Sequence, residues 1–386
     1  MSNPAVPTPH TAVHVCIATG QNAANLIPLE QYQALEIWIL QTPAMRSNAG
    51  HLAQALKRDG RTVQRLDFDD STPANVKASA MKVALELDGR QVVLHATGGT
   101  KIMVLALRDE LRLVEASERG QLDIVYADTP RQQIDWLGEQ PRTEAMVDVL
   151  DLQKMLQVQG YRIVGDNRHA EAQQRAQVRA AMTRELGDNA GRYSKVFSAM
   201  AALAGRAADG RSERDLTQLF QYAPGGMFAR LLEKAESEGL LKWDGEVAVT
   251  FSSAETASYF AGGWLEEFVL LKLTGGLGKP GRFSCNLQVA SGDGVPNELD
   301  AMVVHRNRAL LVECKTGRQA EKAADALYKL AQLRDRLGGS VGTALYLSAQ
   351  DLADEHRQRA AEYRIEVLCG DEVARFVPWL KAWQAC

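Results

Sequence analysis

The sequence predicts an α/β protein in three successive parts, and three observations predict it. Over residues 1–150, apolar runs of strand length alternate with amphipathic helical stretches. Over 151–255 that alternation gives way to helix. From 256 it returns around the stretch "NELDAMVVHRNRALLVECKTG", Asn297 to Gly317, which reads as a hairpin carrying two acids and a lysine inside apolar strands.

In the first part "AVHVCIAT" (12–19), "LEIWILQT" (35–42), "TVQRLDF" (62–68), "QVVLHAT" (91–97) and "LDIVYAD" (122–128) read as buried strands. Between them "NLIPLEQYQ", "NAGHLAQALKRDG", "PANVKASAMKVALEL" and "IMVLALRDELRLVEA" have helical spacing, the second ending at a glycine stop. Regular alternation with doubly buried strands implies a mostly parallel, Rossmann-like sheet, whose ligands sit beyond the carboxyl ends of the strands. The second part is a helical connector. Its last segment, "GLLKWDGEVAVTF", has the look of a winged-helix hairpin. The third part holds the helix "ETASYFAGGWLEEFVLLKL", the charged hairpin, the helix 318–339, the strand "VGTALYLS", a further helix and the strand "IEVLCG".

Composition limits the function classes. The chain has 386 residues, 46% hydrophobic and 24% charged, with a formal net charge of −4, which argues against a broadly basic nucleic-acid wrapper but not against a local basic groove. Its five cysteines (Cys16, Cys285, Cys314, Cys369 and Cys386) form no CxxC pair, which speaks for free thiols in a reducing compartment and against a zinc site or disulfide framework. "MSNPAVPTPHTA" lacks a signal-peptide pattern, and no run approaches the ~18 apolar residues of a membrane span. The expectation is a cytoplasmic protein without membrane contact.

The hairpin charges are informative because strand side chains alternate faces. A two-residue loop at Arg306–Asn307, or a four-residue loop about the same centre, sets Asp300 opposite Glu313. A loop at Asn307–Arg308 sets Asp300 opposite Lys315. A three-residue loop pairs Asp300 with Cys314 and breaks the cluster. In the even-numbered cases two carboxylates come within roughly 5 Å and need a counter-charge. A divalent metal such as Mg²⁺ or Mn²⁺ supplies one, held by Asp300, Glu313 and the backbone carbonyl of Cys314, with Lys315 beside the reacting phosphate. The competing reading is a structural cross-strand ion pair. The preceding helix adds Glu266 and Glu267, one of which could face the sheet and bind the metal or its water. Gln332 reads as a helix-surface amide, His305 as a turn residue, Trp136 and Trp264 as core. Arg306, Arg308 and Arg318 flank the hairpin as candidate phosphate contacts.

In the first part "HATGGTK" ends a strand and opens a helix. Gly98 and Gly99 admit a phosphate to backbone N–H groups, and Thr100 and Lys101 add a donor and a cation. Thr19, Gln21, Asn22, Thr42 and Thr97 line the same predicted edge, with Asp128 and Thr129 nearby. His95, just before the glycines, is read either as a ligand contact or as a strand-end histidine.

"ELD", twelve residues and "ECK", behind a helical Glu, resemble the PD-(D/E)xK nuclease core, with Leu299 where the usual proline stands. The resemblance implies that Asp300, Glu313, Lys315 and Glu267 are catalytic. "TGQN" and "GGTK" on a Rossmann-like sheet resemble the CARF sensor domain, and the combination resembles the CARF-fused ancillary nucleases of type III CRISPR systems. That family implies a homodimer that binds one cyclic tetra-adenylate across its two-fold axis. It implies Mn²⁺- or Mg²⁺-dependent cutting of single-stranded DNA or RNA, or nicking of duplex DNA, in antiviral defence. The boundaries follow: 1–150 sensor, 151–255 connector, 256–386 nuclease. A ligand-responsive transcription regulator and a ring nuclease are the rival readings.

Overall fold

The structure is a computed structural model that describes residues 10–115, 121–138, 140–165, 169–209, 213–277, 281–292, 294, 296–317 and 320–385. Its first sheet is built from β1 (Val13–Ile17), β2 (Glu36–Gln41), β3 (Thr62–Asp67), β4 (Gln91–His95) and β5 (Gln121–Asp128), with α1 (Ala23–Gln31), α2 (Arg46–Leu56), α3 (Pro73–Glu86) and α4 (Lys101–Glu115) between them. These five strands are parallel, as the alternation predicts. Two short strands the pattern did not show, β6 (Gln133–Trp136) and β7 (Arg142–Ala145), extend the edge antiparallel. The strand order β3-β2-β1-β4-β5-β6-β7 reverses direction between β1 and β4. A reversal of this kind opens a crevice at the carboxyl ends of the two strands.

A short helix, α5 (Leu152–Val158), follows, capped by Asp151, whose carboxylate accepts from the Lys154 N–H at 2.7 Å. The strand β8 (Tyr161–Gly165) comes next and departs from expectation. It lies within the predicted helical connector but pairs with β12, far downstream, and so belongs to the second large sheet. The rest of the connector is helical, as predicted: α6 (His169–Val178), α7 (Ala180–Asp188) and α8 (Ala190–Asp209). It closes with β9 (Thr217–Leu219), α9 (Met227–Ser237), β10 (Leu241–Trp243) and β11 (Ala248–Phe251); the β10–β11 hairpin and β9 form a small winged sheet.

The third part begins with α10 (Ala254–Ser258), which runs through a π-helical turn into α11 (Trp264–Lys272). The helix breaks at Gly262, whose backbone is non-helical (φ 164°, ψ −25°) and where a Cβ would lie 2.8 Å from the Thr316 hydroxyl. The sheet then comprises β12 (Phe283–Ser291), β13 (Asn297–His305), β14 (Arg308–Lys315), β15 (Gly342–Ser348) and β16 (Ile365–Cys369), interleaved with α12 (Ala320–Leu337) and α13 (Asp354–Glu362) and followed by α14 (Phe376–Ala385). Its order is β16-β15-β14-β13-β12-β8, with β14 the central strand of an antiparallel hairpin that continues into a parallel pair. This explains the continuous apolar reading of β14, which is covered on both faces.

One apolar core joins the first and third parts. It runs from Leu26, Ile27 and Leu52 of the first unit through Met155 and Leu156 of α5 to Met302, Val304 and Leu311 of the hairpin. Each fully buried leucine contributes about 2 kcal/mol, so sliding the two sheets apart is costly. The opposite face of the hairpin, with Ala301, Val303, Leu310 and Val312, packs against α8 and α11.

Candidate active site and ligand edge

The turn of the charged hairpin has two residues. His305 pairs with Arg308, Val304 with Ala309, and the register continues to Ala301 and Val312. Arg306 and Asn307 both take positive φ, 49° and 58°, the conformation of a tight hairpin turn. Asn307 is fully buried: its side-chain oxygen accepts from the amides of Val149 and Leu150 (2.9 and 3.0 Å), and its amide donates to the Val147 carbonyl at 2.7 Å. The segment before α5 thus fixes the turn, and the turn fixes an even register whose last pair, Ala301–Val312, stands next to Asp300 and Glu313.

At that level the acids crowd. An Asp300 oxygen accepts the Cys314 amide at 2.6 Å, and Lys315 reaches Glu313 at 2.5 Å. Burial and the neighbouring Glu313 push the Asp300 carboxyl up to about 6, against the help of the Cys314 N–H and Lys315. Burial works against the charge of Lys315, but Glu313 and Asp300 outweigh it and raise its pKa.

The helix acid facing this cluster is Glu266, which corrects the reading of Glu267. Burial first, and then Asp300 and Glu298, push Glu266 up to about 8. Glu267, one position and about 100° further round α11, is held by the buried Arg179 of the connector, which also reaches Glu255 at 3.3 Å. A cavity of about 440 Å³ opens at the site, lined among others by Glu266, Lys315, Cys314, Thr316, Tyr346 and Ser198 of α8. The Ser198 hydroxyl is buried and has no hydrogen-bond partner. Nothing in the sequence singled it out: it lies in an alanine-rich helix and meets the site only through tertiary packing. Arg306 and Arg308 lie at the turn end of the hairpin and donate to the carbonyls of Ala385 and Trp383, so they are structural ties to the C-terminal helix instead of phosphate contacts. Arg318 lies outside the described residues. Trp136 and Trp264 are core, each 1% exposed.

The first unit is more mixed. The loops after β1, β2 and β4 meet at the carboxyl edge, and "GGTK" stands at the β1/β4 reversal. Gly98 and Gly99 are required there by β1 itself: a Cβ on Gly98 would lie 2.3 Å from the Ile17 carbonyl, and Gly99 has φ +78° with Ile17 against it. Thr100 caps α4 by accepting from the Met103 N–H (3.3 Å), and Lys101 is exposed at the helix start. Thr19 is half-buried and Thr42 buried at the same edge. Three expected ligand contacts are committed elsewhere. Asn22 is fully buried, accepting from the Thr19 N–H and donating to the Asn48 carbonyl. Thr97 accepts from the Ala127 N–H at 2.8 Å. Gln21 accepts from the Ser340 N–H at 2.7 Å, a contact with the third unit just beyond α12. Asp128 accepts from Arg131, and Thr129 is buried. His95 is buried with Nε2 2.8 Å from Nδ1 of His14, so it does not face the edge.

Comparison with known proteins gives this geometry its setting. Residues 253–386 match the family model described as "Card1-like, endonuclease domain". The chain carries an endonuclease domain. Protein VC1899 from Vibrio cholerae superposes with a TM-score of 0.80 at 21% identity, covering 97% of this chain and 98% of that one. Can2 from Sulfobacillus thermosulfidooxidans, solved with cyclic tetra-adenylate, gives 0.77 at 21%, covering 97% and 99%. A type III CRISPR defence DNA nuclease activated by cyclic oligoadenylate gives 0.52 at 19%, covering 90% of this chain and 47% of its own. At these identities the three superpositions speak to the fold. No curated protein matches the sequence.

An endonuclease domain of this kind implies a divalent metal ion. Among the described residues no three metal-binding side chains already converge at ligating distance. The chemistry of the endonuclease cluster nevertheless fits one. Glu266, Asp300 and Glu313 are hard oxygen donors; burial first, and then the neighbouring acids, raise the pKa of Glu266 and Asp300, and a bound cation offsets both. Among the described residues no helix is long and apolar enough to cross a membrane.

Proposed function

We propose that the chain is a metal-dependent endonuclease switched on by a cyclic oligoadenylate, cyclic tetra-adenylate in the first instance, and that it acts in CRISPR antiviral defence. The observation that carries the nuclease half is the nearness of Glu266, Asp300, Glu313 and Lys315 to one another, next to a cavity that Glu266 and Lys315 line. Asp300, Glu313 and the Cys314 carbonyl, joined by Glu266, would hold Mn²⁺ or Mg²⁺, whose chemistry there is to activate water and polarise a phosphodiester. Lys315, which pairs with Glu313, would stabilise the negative charge that grows on the phosphate oxygens if Glu313 held the metal. Ser198 donates its hydroxyl to a non-bridging phosphate oxygen of a strand lying in the cavity. The substrates are single-stranded DNA and RNA, or duplex DNA that is nicked.

The activator half rests on the β1/β4 edge, where Thr19, Thr42, Gly98, Gly99, Thr100 and Lys101 offer hydroxyls, backbone amides and a cation, and on the likeness to Can2, which was solved with cyclic tetra-adenylate. A second copy of the chain supplies the other half of the ring's site. In support, the helices flanking this edge leave Ile102, Leu105 and Leu113 of α4 and Met81 and Leu85 of α3 exposed. Gln21, through Ser340, is the direct line from the ligand edge to the end of α12, whose other end starts just past Lys315.

The test incubates the protein with Mn²⁺ and labelled single-stranded DNA or RNA, with and without cyclic tetra-adenylate. Cutting only with the ring is expected, and Lys101→Ala is expected to lose that response while keeping its fold. Absence of cutting under every condition contradicts the proposal. A normal response in Lys101→Ala contradicts the placement of the ring.

A further inference from the structure

A cavity that the function above leaves unused lies between the first and third units. It measures about 880 Å³ and is lined by Arg46, Lys57, Arg61 and Arg65 from α2, β3 and their loops, by Arg162 of β8, and by His51. Its described lining includes no carboxylate, although the chain as a whole is acidic at −4. Two of the cations are neutralised: Arg46 pairs with Asp67 at the rim (3.3 Å), and Arg61 pairs with Glu30 beneath the floor (2.5 Å). Lys57, Arg65 and Arg162 add charge that no described lining acid offsets.

A second cavity of about 430 Å³ shares Gln157, Tyr161 and Arg162 with the first and continues along β8 to Gly165. The cleft is therefore elongated and follows the free edge of the endonuclease sheet, with Arg162 the cation that its two parts share. β8 pairs with β12 and β12 with β13, so the cleft stands two strands, roughly 10 Å, from the strand that carries Asp300.

We infer that this cleft binds the phosphodiester backbone of a polynucleotide and tethers the strand that the endonuclease site cuts. The volume far exceeds that of one phosphate, and the cations sit on four separate segments along a trough, as a chain of phosphates requires. Phosphate recognition of this kind reads charge and not sequence, and its strength falls with salt. That the polyanion is a polynucleotide rests on the endonuclease reading above.

The test measures fluorescence anisotropy of a labelled single-stranded oligonucleotide, and of the same sequence as duplex, with the full chain in EDTA over a salt series. The variants are Lys57→Glu, Arg65→Glu, the double Arg65→Glu/Arg162→Glu, and Lys381→Glu. The double variant is expected to weaken binding by about tenfold or more and to flatten the salt dependence by about one unit of slope for each phosphate that is no longer neutralised. Lys381→Glu, on the exposed face of α14 away from the cleft, is expected to bind like the wild type. Affinity and slope unchanged in the cleft variants overturn the inference, as does pyrophosphate competing as well as unlabelled oligonucleotide. Melting curves of the same variants separate lost binding from lost fold. Cleavage assays with Mn²⁺ and cyclic tetra-adenylate keep the two ideas apart. A wild type that binds through the cleft but cuts nothing fails the nuclease reading alone. A cleft variant that binds and cuts normally fails the inference alone.

Discussion

Two polar clusters sit at the ends of strands in this molecule, and they are built in opposite ways. At the edge of the first sheet, Asn22, Thr97 and Gln21 have each found partners: the loop's own backbone, the Ala127 amide and the Ser340 amide. In the endonuclease domain, Glu266, Asp300 and Glu313 are neighbours with Lys315 paired to Glu313, and burial together with the neighbouring acids pushes the carboxyls of Glu266 and Asp300 up to about 8 and about 6. The first cluster is satisfied and therefore structural over much of its extent. The second is frustrated, and frustration of this kind persists where a ligand is meant to relieve it.

The comparison breaks most visibly under neutral substitutions. Asp300→Asn and Glu313→Gln should lower the rate of cutting by about a hundredfold or more, while urea unfolding of Asp300→Asn shows stability unchanged or raised, because it removes one of the repelling charges. Asn22→Ala should do the reverse. Losing the hydrogen bonds of a fully buried amide should cost about 1–3 kcal/mol in the same unfolding experiment. If Asn22→Ala proves neutral for stability, or Asp300→Asn strongly destabilising, the contrast is wrong.

The adjacent glutamates of α11 sharpen it. Glu266→Gln should reduce cutting about tenfold or more and leave the fold intact. Glu267→Gln should act mainly on stability, by leaving the buried Arg179 with Glu255 as its remaining acid. Paired cleavage and melting measurements decide it, and equal effects of the two variants on cutting would contradict the assignment.

A smaller effect comes from pH. Over the window from about 4.5 to about 8 the folded protein retains a proton on Glu266 that the unfolded chain has lost. The folded state then binds more protons than the unfolded one, so the metal-free protein should lose stability as pH rises through that window. Mn²⁺ should reverse the trend most strongly at its upper end. Melting temperatures across the range, with Mn²⁺ and with EDTA, show whether it does.

How far the sequence carried this reading depended on whether a feature was local. The parity of Asp300 and Glu313 was legible because strand alternation and a two-residue turn are short-range, and Arg306–Asn307 is a turn that tolerates positive φ. The five parallel strands followed from the same kind of pattern. What escaped was set by distant partners. β8 belongs to the second sheet only because β12 meets it. Glu266 prevails over Glu267 only because Arg179 arrives from the connector. Ser198 enters the cavity only through the packing of α8. At the first edge, residue types suited to nucleotide contact were equally suited to bracing a loop, and for Asn22 and Thr97 the brace won.

The central claim is that the endonuclease acids await a cation. Calorimetric titration of the full chain with Mn²⁺, across the range from pH 6 to pH 8 in buffers of different ionisation enthalpy, tests it most directly. Glu266 and Asp300 must shed protons to ligate, so affinity should rise with pH, protons should be released on binding, and Glu266→Gln should diminish both. Mn²⁺ binding that is absent, or that is independent of pH and releases no proton, would contradict it.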